Sequence, residues 1–258
     1  MCLIVFAHRA SPEYPLLLAA NRDEFFQRPT RQAHAWTDES GREIFIGGKD
    51  LQAGGTWLGI SREGRFAAVT NIRDPSQTDP KPRSRGSLTL EFLDAAMSAS
   101  DYAETLSASF ADYAGYNLLI GDGETLVYVN NSERLCRKLG PGIYGLSNGL
   151  LDAPWPKVLK SKQALTALLQ SGEALTVDQL LNLMQDREPA PDDALPATGL
   201  PLALERQLSS AFIHNIERDY GTLCSTAIIR ESGKRIHFCE QNYDRHGDTT
   251  ESHYFRLG

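Results

Sequence analysis

Pro15-Leu16-Leu17-Leu18-Ala19-Ala20-Asn21-Arg22-Asp23-Glu24 passes without a break from an apolar run into four consecutive polar side chains. The apolar half suits a buried strand. The polar half adds nothing to a core, so it reads as a turn, as a salt-bridged surface, or as a working site at a strand end. Upstream, Cys2–His8 is a second short apolar run of the buried-strand type. Downstream, Glu43–Ile46 and Thr56–Ser61 are strand candidates, and Arg65–Asn71 follows a tight Glu63-Gly64 turn. Two apolar runs separated by a glycine-containing turn predict a hairpin.

The pattern then changes period. Pro75–Arg85 carries three prolines among polar neighbours and predicts a surface loop. In Ser87–Met97, Leu88, Phe92, Leu93 and Ala96 recur at helical spacing, and Asp101 is placed to cap a second helix running to Phe110. Tyr116–Ile120 and Thr125–Val129 return to strand pattern around Gly121-Asp122-Gly123-Glu124. Trp155–Leu169 and Val177–Met184 predict amphipathic helices. Asp186–Pro201, with four prolines, predicts a loop that covers a pocket. Ser225–Arg230 and Arg235–Cys239 close the chain with β pattern. The order is strands, helices, strands, helices, strands. It lacks the regular alternation of a doubly wound sheet and fits antiparallel sheets sandwiched between helices, an α+β class.

The chain has 258 residues, large for one domain and small for two; residues 1–258 are expected to form one. A net charge of −7, from 26 basic and 33 acidic side chains, disfavours a nucleic-acid groove or an anionic membrane surface as main partner. No segment approaches the roughly 18 apolar residues of a membrane span. The apolar start is too short for a signal peptide and has no basic region ahead of it. The four cysteines (Cys2, Cys136, Cys224, Cys239) form no C-x-x-C pair. Free thiols in a reducing, cytoplasmic setting are therefore expected, with the last three cysteines buried in strands. No metal site is expected.

Two motifs match patterns whose context is wrong. Gly140-Pro141-Gly142-Ile143-Tyr144-Gly145 fits G-x-G-x-x-G, yet Pro141 sits inside it and no helix begins there. Gly145-Leu146-Ser147-Asn148-Gly149 fits the nucleophile elbow, which demands a helix directly after the serine. Pro154 and Pro156 postpone that helix to about Trp155. His237 and His246 would be needed to complete such a triad.

Cys2 carries a different chemistry. Methionine is commonly trimmed before a small second residue, leaving one residue with both a thiol and an α-amine. An α-amine with a pKa of about 7.7–8.0 is partly neutral at pH 7 and can serve as the thiol's base without a histidine. The bland alternative is a cysteine acting as a small buried hydrophobe. Asn71, ending the Gly59–Asn71 hairpin, and Asn148, after the short run to Leu146, place two amides at strand ends.

On these residues the sequence resembles a known family. AANRDEF (from Ala19), AGGTWLGIS (from Ala53), VTN (from Val69) and LSN (from Leu146) look like the NRDE, or transport-and-Golgi-organisation, family. More remotely the layout is similar to the penicillin V acylase and bile salt hydrolase branch of N-terminal-nucleophile (Ntn) hydrolases. The resemblance implies a four-layer αββα sandwich. It implies Cys2 as nucleophile, Asp23 as the carboxylate holding the α-ammonium, Asn148 as oxyanion donor and Asn71 as holder of the substrate carbonyl. Two arginines of the acylases have no counterpart: Ala20 occupies one place, and Tyr220–Thr226 contains none. Arg22 is the candidate substitute, lowering the thiol pKa, with a rim ion pair as the alternative for Arg22 and Glu24. Asn21, Glu24, Gly55, Thr56 and Trp57 are the expected substrate contacts. The implied activity is cleavage of a small-molecule amide or thioester through an acyl-Cys2 intermediate. The rival is a carrier of acyl-coenzyme A, lipid or haem in the same pocket. No resident cofactor is expected; a carried haem would draw axial ligands from His8, His34 or Cys2.

Overall fold

The computed structural model describes residues 2–77 and 79–258. In chain order the elements are β1 (Cys2–His8), β2 (Leu16–Phe25), β3 (Thr30–Thr37), β4 (Glu43–Asp50), β5 (Leu58–Ile60), β6 (Phe66–Asn71), α1 (Arg85–Asp94) and α2 (Ala99–Leu106). They continue as β7 (Tyr116–Gly121), β8 (Leu126–Asn130), β9 (Leu135–Lys138), β10 (Gly142–Leu146), α3 (Pro156–Gln170), α4 (Val177–Leu183) and α5 (Leu202–Gln207). Strands β11 (His214–Asn215), β12 (Tyr220–Arg230), β13 (Ile236–Tyr243) and β14 (Thr249–Leu257) complete the chain.

The strands make two seven-stranded antiparallel sheets. One runs β10-β1-β2-β12-β13-β14, with β11 on β12; the other runs β3 to β9 in sequence order. Three cores account for the layering. Ile4, Phe6, Leu18 and Ile228 from the first sheet meet Ile46, Leu58, Phe66 and Leu119 from the second. Leu3, Val5, Leu17 and Ala227, on the other face of the first sheet, pack under Val158 and Leu165 of α3 and Leu180 of α4. Val69, Leu118 and Val127, on the outer face of the second, pack under Leu88 and Phe92 of α1 and Tyr102 of α2. Strands buried on both faces carry apolar side chains at successive positions, which explains the unbroken runs in β1 and β2. The result is the expected α+β class, with helices on both outer faces of two facing sheets.

Several boundaries differ from the sequence reading, each for a visible reason. β2 does not stop at Ala20. It continues to Phe25 because both edges stay paired, Cys2 with Arg22 on β1 and Asp23 with Thr222 on β12, across a bulge between Thr222 and Cys224. α1 begins inside the expected loop, capped by Ser84, whose side chain accepts from the Gly86 amide. α2 is capped by Ser98 rather than Asp101, whose amide instead donates to Ser98 Oγ (3.1 Å). It ends at Leu106, four residues short of Phe110. β3, β9 and β14 lie outside the expected strands because their mixed polar sequences carry no clear apolar alternation; β9 and β14 are also largely exposed. Cys224 and Cys239 are buried as expected, but Cys136 is exposed, lying on the edge strand β9.

Gly55 shows how tightly the loop before β5 meets α1. A Cβ there would lie 2.4 Å from the Gly86 carbonyl carbon. Backbone cannot yield cheaply, so Gly55→Ala should destabilise by about 3 kcal/mol and lower the melting temperature by about 6–12 °C. Thermal unfolding followed by circular dichroism checks this.

Candidate active site

The two sheets bring four strand ends together. Cys2 opens β1 opposite Arg22 in the centre of the first sheet. On its other side β10 delivers Ser147 and Asn148. From the facing sheet β6 ends at Asn71, and the β4–β5 connection supplies Thr56 and Trp57. Cys2, Arg22, Asp23, Glu24, Trp57 and Asn71 border one cavity of about 120 Å³, which also reaches Arg28, Asp50, Thr56 and the start of α1.

Each polar side chain here is held by a specific contact. Asp23 is buried, accepts from Thr222 Oγ1 (2.8 Å) on one carboxylate oxygen, and its carbonyl accepts from Tyr220 OH (3.0 Å). Thr222 Oγ1 in turn accepts from the Ile213 amide (2.9 Å). Burial raises the Asp23 pKa, and the Lys157 charge opposes this. Arg22 is buried, donates to Thr30 Oγ1 (3.0 Å), and lies over the Trp57 ring at 4.3 Å. Glu24 faces Arg28 at 3.7 Å, and Arg28 is paired more closely with Asp50 (2.8 Å). The rim ion pair considered for Glu24 is therefore formed with Arg28, not with Arg22.

Asn148 is buried and donates from Nδ2 to the Asn71 carbonyl (2.8 Å), while its own carbonyl accepts from the Arg73 amide (2.7 Å). Thr70 Oγ1 donates to the Ser147 carbonyl (2.7 Å), and Ser147 Oγ to the Cys2 carbonyl (2.9 Å). These bonds stitch the ends of β10 and β6 to each other and to the first residue of β1. Ser147 is thereby a structural donor to the cysteine's backbone, with no helix behind it. His237 pairs with Glu231 (3.0 Å) instead.

Other expected contacts fall differently. Asn21 has its amide bonded to the Met184 and Ala211 carbonyls (2.9 and 2.8 Å) and its oxygen to Ser225 Oγ (2.6 Å). It anchors the helix-side layer through these three bonds and is not among the residues bordering the 120 Å³ cavity. Gly55 is engaged in the contact with Gly86. Thr56 borders the cavity with its hydroxyl bonded to the Leu58 carbonyl (3.0 Å). Trp57 is the platform for Arg22. His8 stands at the opposite end of β1 from Cys2, its pKa lowered to about 4 by burial and by Arg9 and Arg230. His34 lies on the edge strand β3, bonded to the Gln32 carbonyl (2.8 Å). The fold does not bring these histidines to Cys2.

The sequence reading missed Lys157 and Arg85. Lys157 is buried, its ammonium makes no hydrogen bond among the described residues, and burial lowers its pKa to about 8 against the pull of Asp23. A lysine in the second position of α3, directly after Pro156, opposes the helix dipole; that misfit was the available signal. Arg85 falls at the end of the loop expected over Pro75–Arg85, whereas the structure makes it the first residue of α1. Burial also raises the Cys2 thiol pKa, opposed by the Asp23 backbone N–H and by Arg22. The resting sulfur is thus a thiol at neutral pH, and ionising it requires a base.

No helix of the described residues is long and apolar enough to cross a membrane. Two solved structures share the fold. A conjugated bile acid hydrolase from Clostridium perfringens, solved as its C2A mutant, superposes with a TM-score of 0.57 at 11% identity, covering 99% of this chain and 92% of that one. The Caenorhabditis elegans N-acylethanolamine-hydrolyzing acid amidase orthologue superposes at 0.53 with 9% identity, covering 88% and 92%. The two-sheet architecture is therefore that of Ntn hydrolases. Sequence relatives include the transport and Golgi organization protein 2 homologue of Bos taurus, 36% identical over 100% of this chain and 99% of its own. The Mus musculus homologue is 35% identical over 94% and 93%, and the Drosophila melanogaster protein 30% identical over 98% and 97%. With residues 1–245 matched by the family profile as well, the chain belongs to the transport and Golgi organisation 2 family.

Proposed function

We propose that this protein is an N-terminal-cysteine hydrolase that cleaves a small-molecule amide or thioester through an acyl-Cys2 intermediate. The observation that carries the reading is the convergence of Cys2, Asp23 and Asn71 on one cavity, on a fold shared with a conjugated bile acid hydrolase and an N-acylethanolamine-hydrolyzing acid amidase. Removal of Met1, which lies outside the described residues, is part of the proposal. It would leave the Cys2 α-amine next to Asp23, whose carboxylate holds the ammonium form.

The steps follow from the groups present. The neutral amine takes the thiol proton and sulfur attacks the carbonyl carbon. Asn71, at the cavity wall, donates to the developing oxyanion, and Asn148 fixes that strand end while offering the second hydrogen of its amide. Collapse breaks the bond to the leaving amine or thiolate, which takes the proton from the ammonium. Water, deprotonated by the same amine, then releases the acid and restores the thiol. A free thiol in this role suits a reducing compartment such as the cytoplasm.

The test is a burst assay with an activated amide and an activated thioester. A burst equal to the enzyme concentration supports the acyl-enzyme. Asn148→Ala should cut its rate by about 10²–10³-fold; an unchanged rate would remove Asn148 from the mechanism.

A second reading, carriage of a lipid-like ligand, is favoured by one feature. A cavity of about 480 Å³, walled by Phe25, Leu200, Leu204, Leu208 and Tyr220, lies beside the site, with Arg73 and Arg218 at its edge. It borders the loop expected to cover a pocket; Glu205 of α5, ion-paired with Arg73 (2.5 Å), accepts from the Thr198 amide of that loop (3.0 Å). Under the hydrolase reading it takes the acyl chain. Under the carrier reading it takes the whole ligand, and titration with haemin or a long-chain acyl thioester would saturate unchanged in Cys2→Ala.

A further inference from the structure

Three guanidinium groups border the cavity that holds Cys2, and they are not equivalent. Arg28 is neutralised by Asp50, with Nε and Nη2 at 2.9 and 2.8 Å, and by Glu24. Arg22 is bonded to Thr30, stacked on Trp57, and 3.9 Å from Asp50. Arg85 has no carboxylate oxygen within 4.0 Å among the described residues. Its one hydrogen bond there is a long one, from Nη1 to the Gly115 carbonyl (3.3 Å). Glu24, the acid that faces it across the cavity, is already held by Arg28.

The mount of Arg85 is rigid. It is the first residue of α1, preceded by the Ser84 cap and followed by Gly86, which is locked against Gly55. A partly desolvated guanidinium on a fixed backbone, directed to a small cavity and lacking an internal anion, is built to receive one from outside. Its planar fork matches a carboxylate. The cavity, about 120 Å³ in volume, has room for a small carboxylate-bearing group beside Cys2.

We infer that Arg85 is a specificity-determining residue, and that the ligand of this cavity carries a carboxylate a few bonds from the carbon attacked by Cys2. In the hydrolytic case, resting on the proposed function above, the substrate class is an amide whose small leaving amine bears a carboxylate. The neutral analogue is the disfavoured substrate.

The experiment separates this claim from catalysis by using alkylation of Cys2, which requires no turnover. Iodoacetate and iodoacetamide differ in charge and little in size. Their rates on Cys2 are followed by peptide mass in a Cys136→Ser background, because Cys136 is exposed. The iodoacetate-to-iodoacetamide rate ratio, normalised to that of a free thiol such as glutathione, should be raised by about tenfold, the size of one charge-assisted hydrogen bond. It should fall towards unity in Arg85→Met and be only partly kept in Arg85→Lys, which retains the charge without the planar fork. A normalised ratio near unity in the unmodified protein, or one that survives Arg85→Met, overturns the inference. The hydrolytic part is read separately, from kcat/KM on an N-acylglycine and its N-acylglycinamide. Failure to turn over either while the alkylation ratio stays high sinks the hydrolase reading and keeps the carboxylate site.

Discussion

Cys2→Ala should abolish acyl-enzyme formation and reduce turnover of any amide or thioester substrate by at least about 10³-fold, because the nucleophile is replaced by a methyl group. Stability should change little. Cys2 is half-buried at the end of β1, its carbonyl keeps the Ser147 bond, and its strand pairing to Arg22 uses backbone alone. The comparison with Cys2→Ser is informative. A serine hydroxyl keeps the shape but raises the basicity the α-amine must overcome, so residual activity there, above the alanine variant, would report the amine acting as base. Equal activity of the wild type and Cys2→Ala would end the nucleophile reading and leave the carrier.

Lys157→Met should give a protein that is more stable and less active. The folded environment lowers the Lys157 pKa from 10.5 to about 8. The unfolded chain therefore binds a proton that the folded chain releases between those values. The sign follows: stability contributed by this group is poorest below about pH 8, rises through the window, and is level above 10.5. A displacement of that size corresponds to about 3 kcal/mol at neutral pH. Methionine removes the cost, while Asp23 loses a nearby cation and offsets part of the gain. A net increase of about 1–3 kcal/mol is expected at pH 7, narrowing towards pH 10. Urea unfolding of both proteins at pH 6, 7, 9 and 10 measures it. A variant equally stable at every pH would show that Lys157 is not a charged, buried group. The activity loss follows from the same position. Lys157 is the cation facing Asp23 from α3, and without it the carboxyl titrates higher and holds the α-ammonium less well. Stability given up at a working site is the usual pattern.

Much of the site was legible because its residues break local rules. Four polar side chains at the end of the β2 run, and asparagines ending β6 and following β10, are out of place in a core. Cys2, Arg22, Asp23, Glu24, Asn71, Thr56 and Trp57 do border one cavity. What stayed hidden depends on long-range geometry. Asn21 looks like its neighbours in sequence, but strand alternation turns it to the helix side, where three hydrogen bonds hold it. Thr222 is unremarkable in sequence and becomes the Asp23 partner only through the bulged pairing of β2 with β12. Arg85 read as a loop because three prolines precede it, whereas the Ser84 cap starts α1 there. The edge strands β3, β9 and β14 carry mixed polar sequence, which the periodicity of a half-solvated edge does not reveal.

The central claim is that Cys2 becomes an N-terminal nucleophile. Intact mass of the untagged protein before and after treatment with a β-lactone probe tests it most directly. The expected mass lacks Met1 and gains one acyl adduct, mapped to Cys2, absent in Cys2→Ala and slowed in Asp23→Ala. A mass retaining Met1, with Cys2 unmodified by the probe, would contradict it.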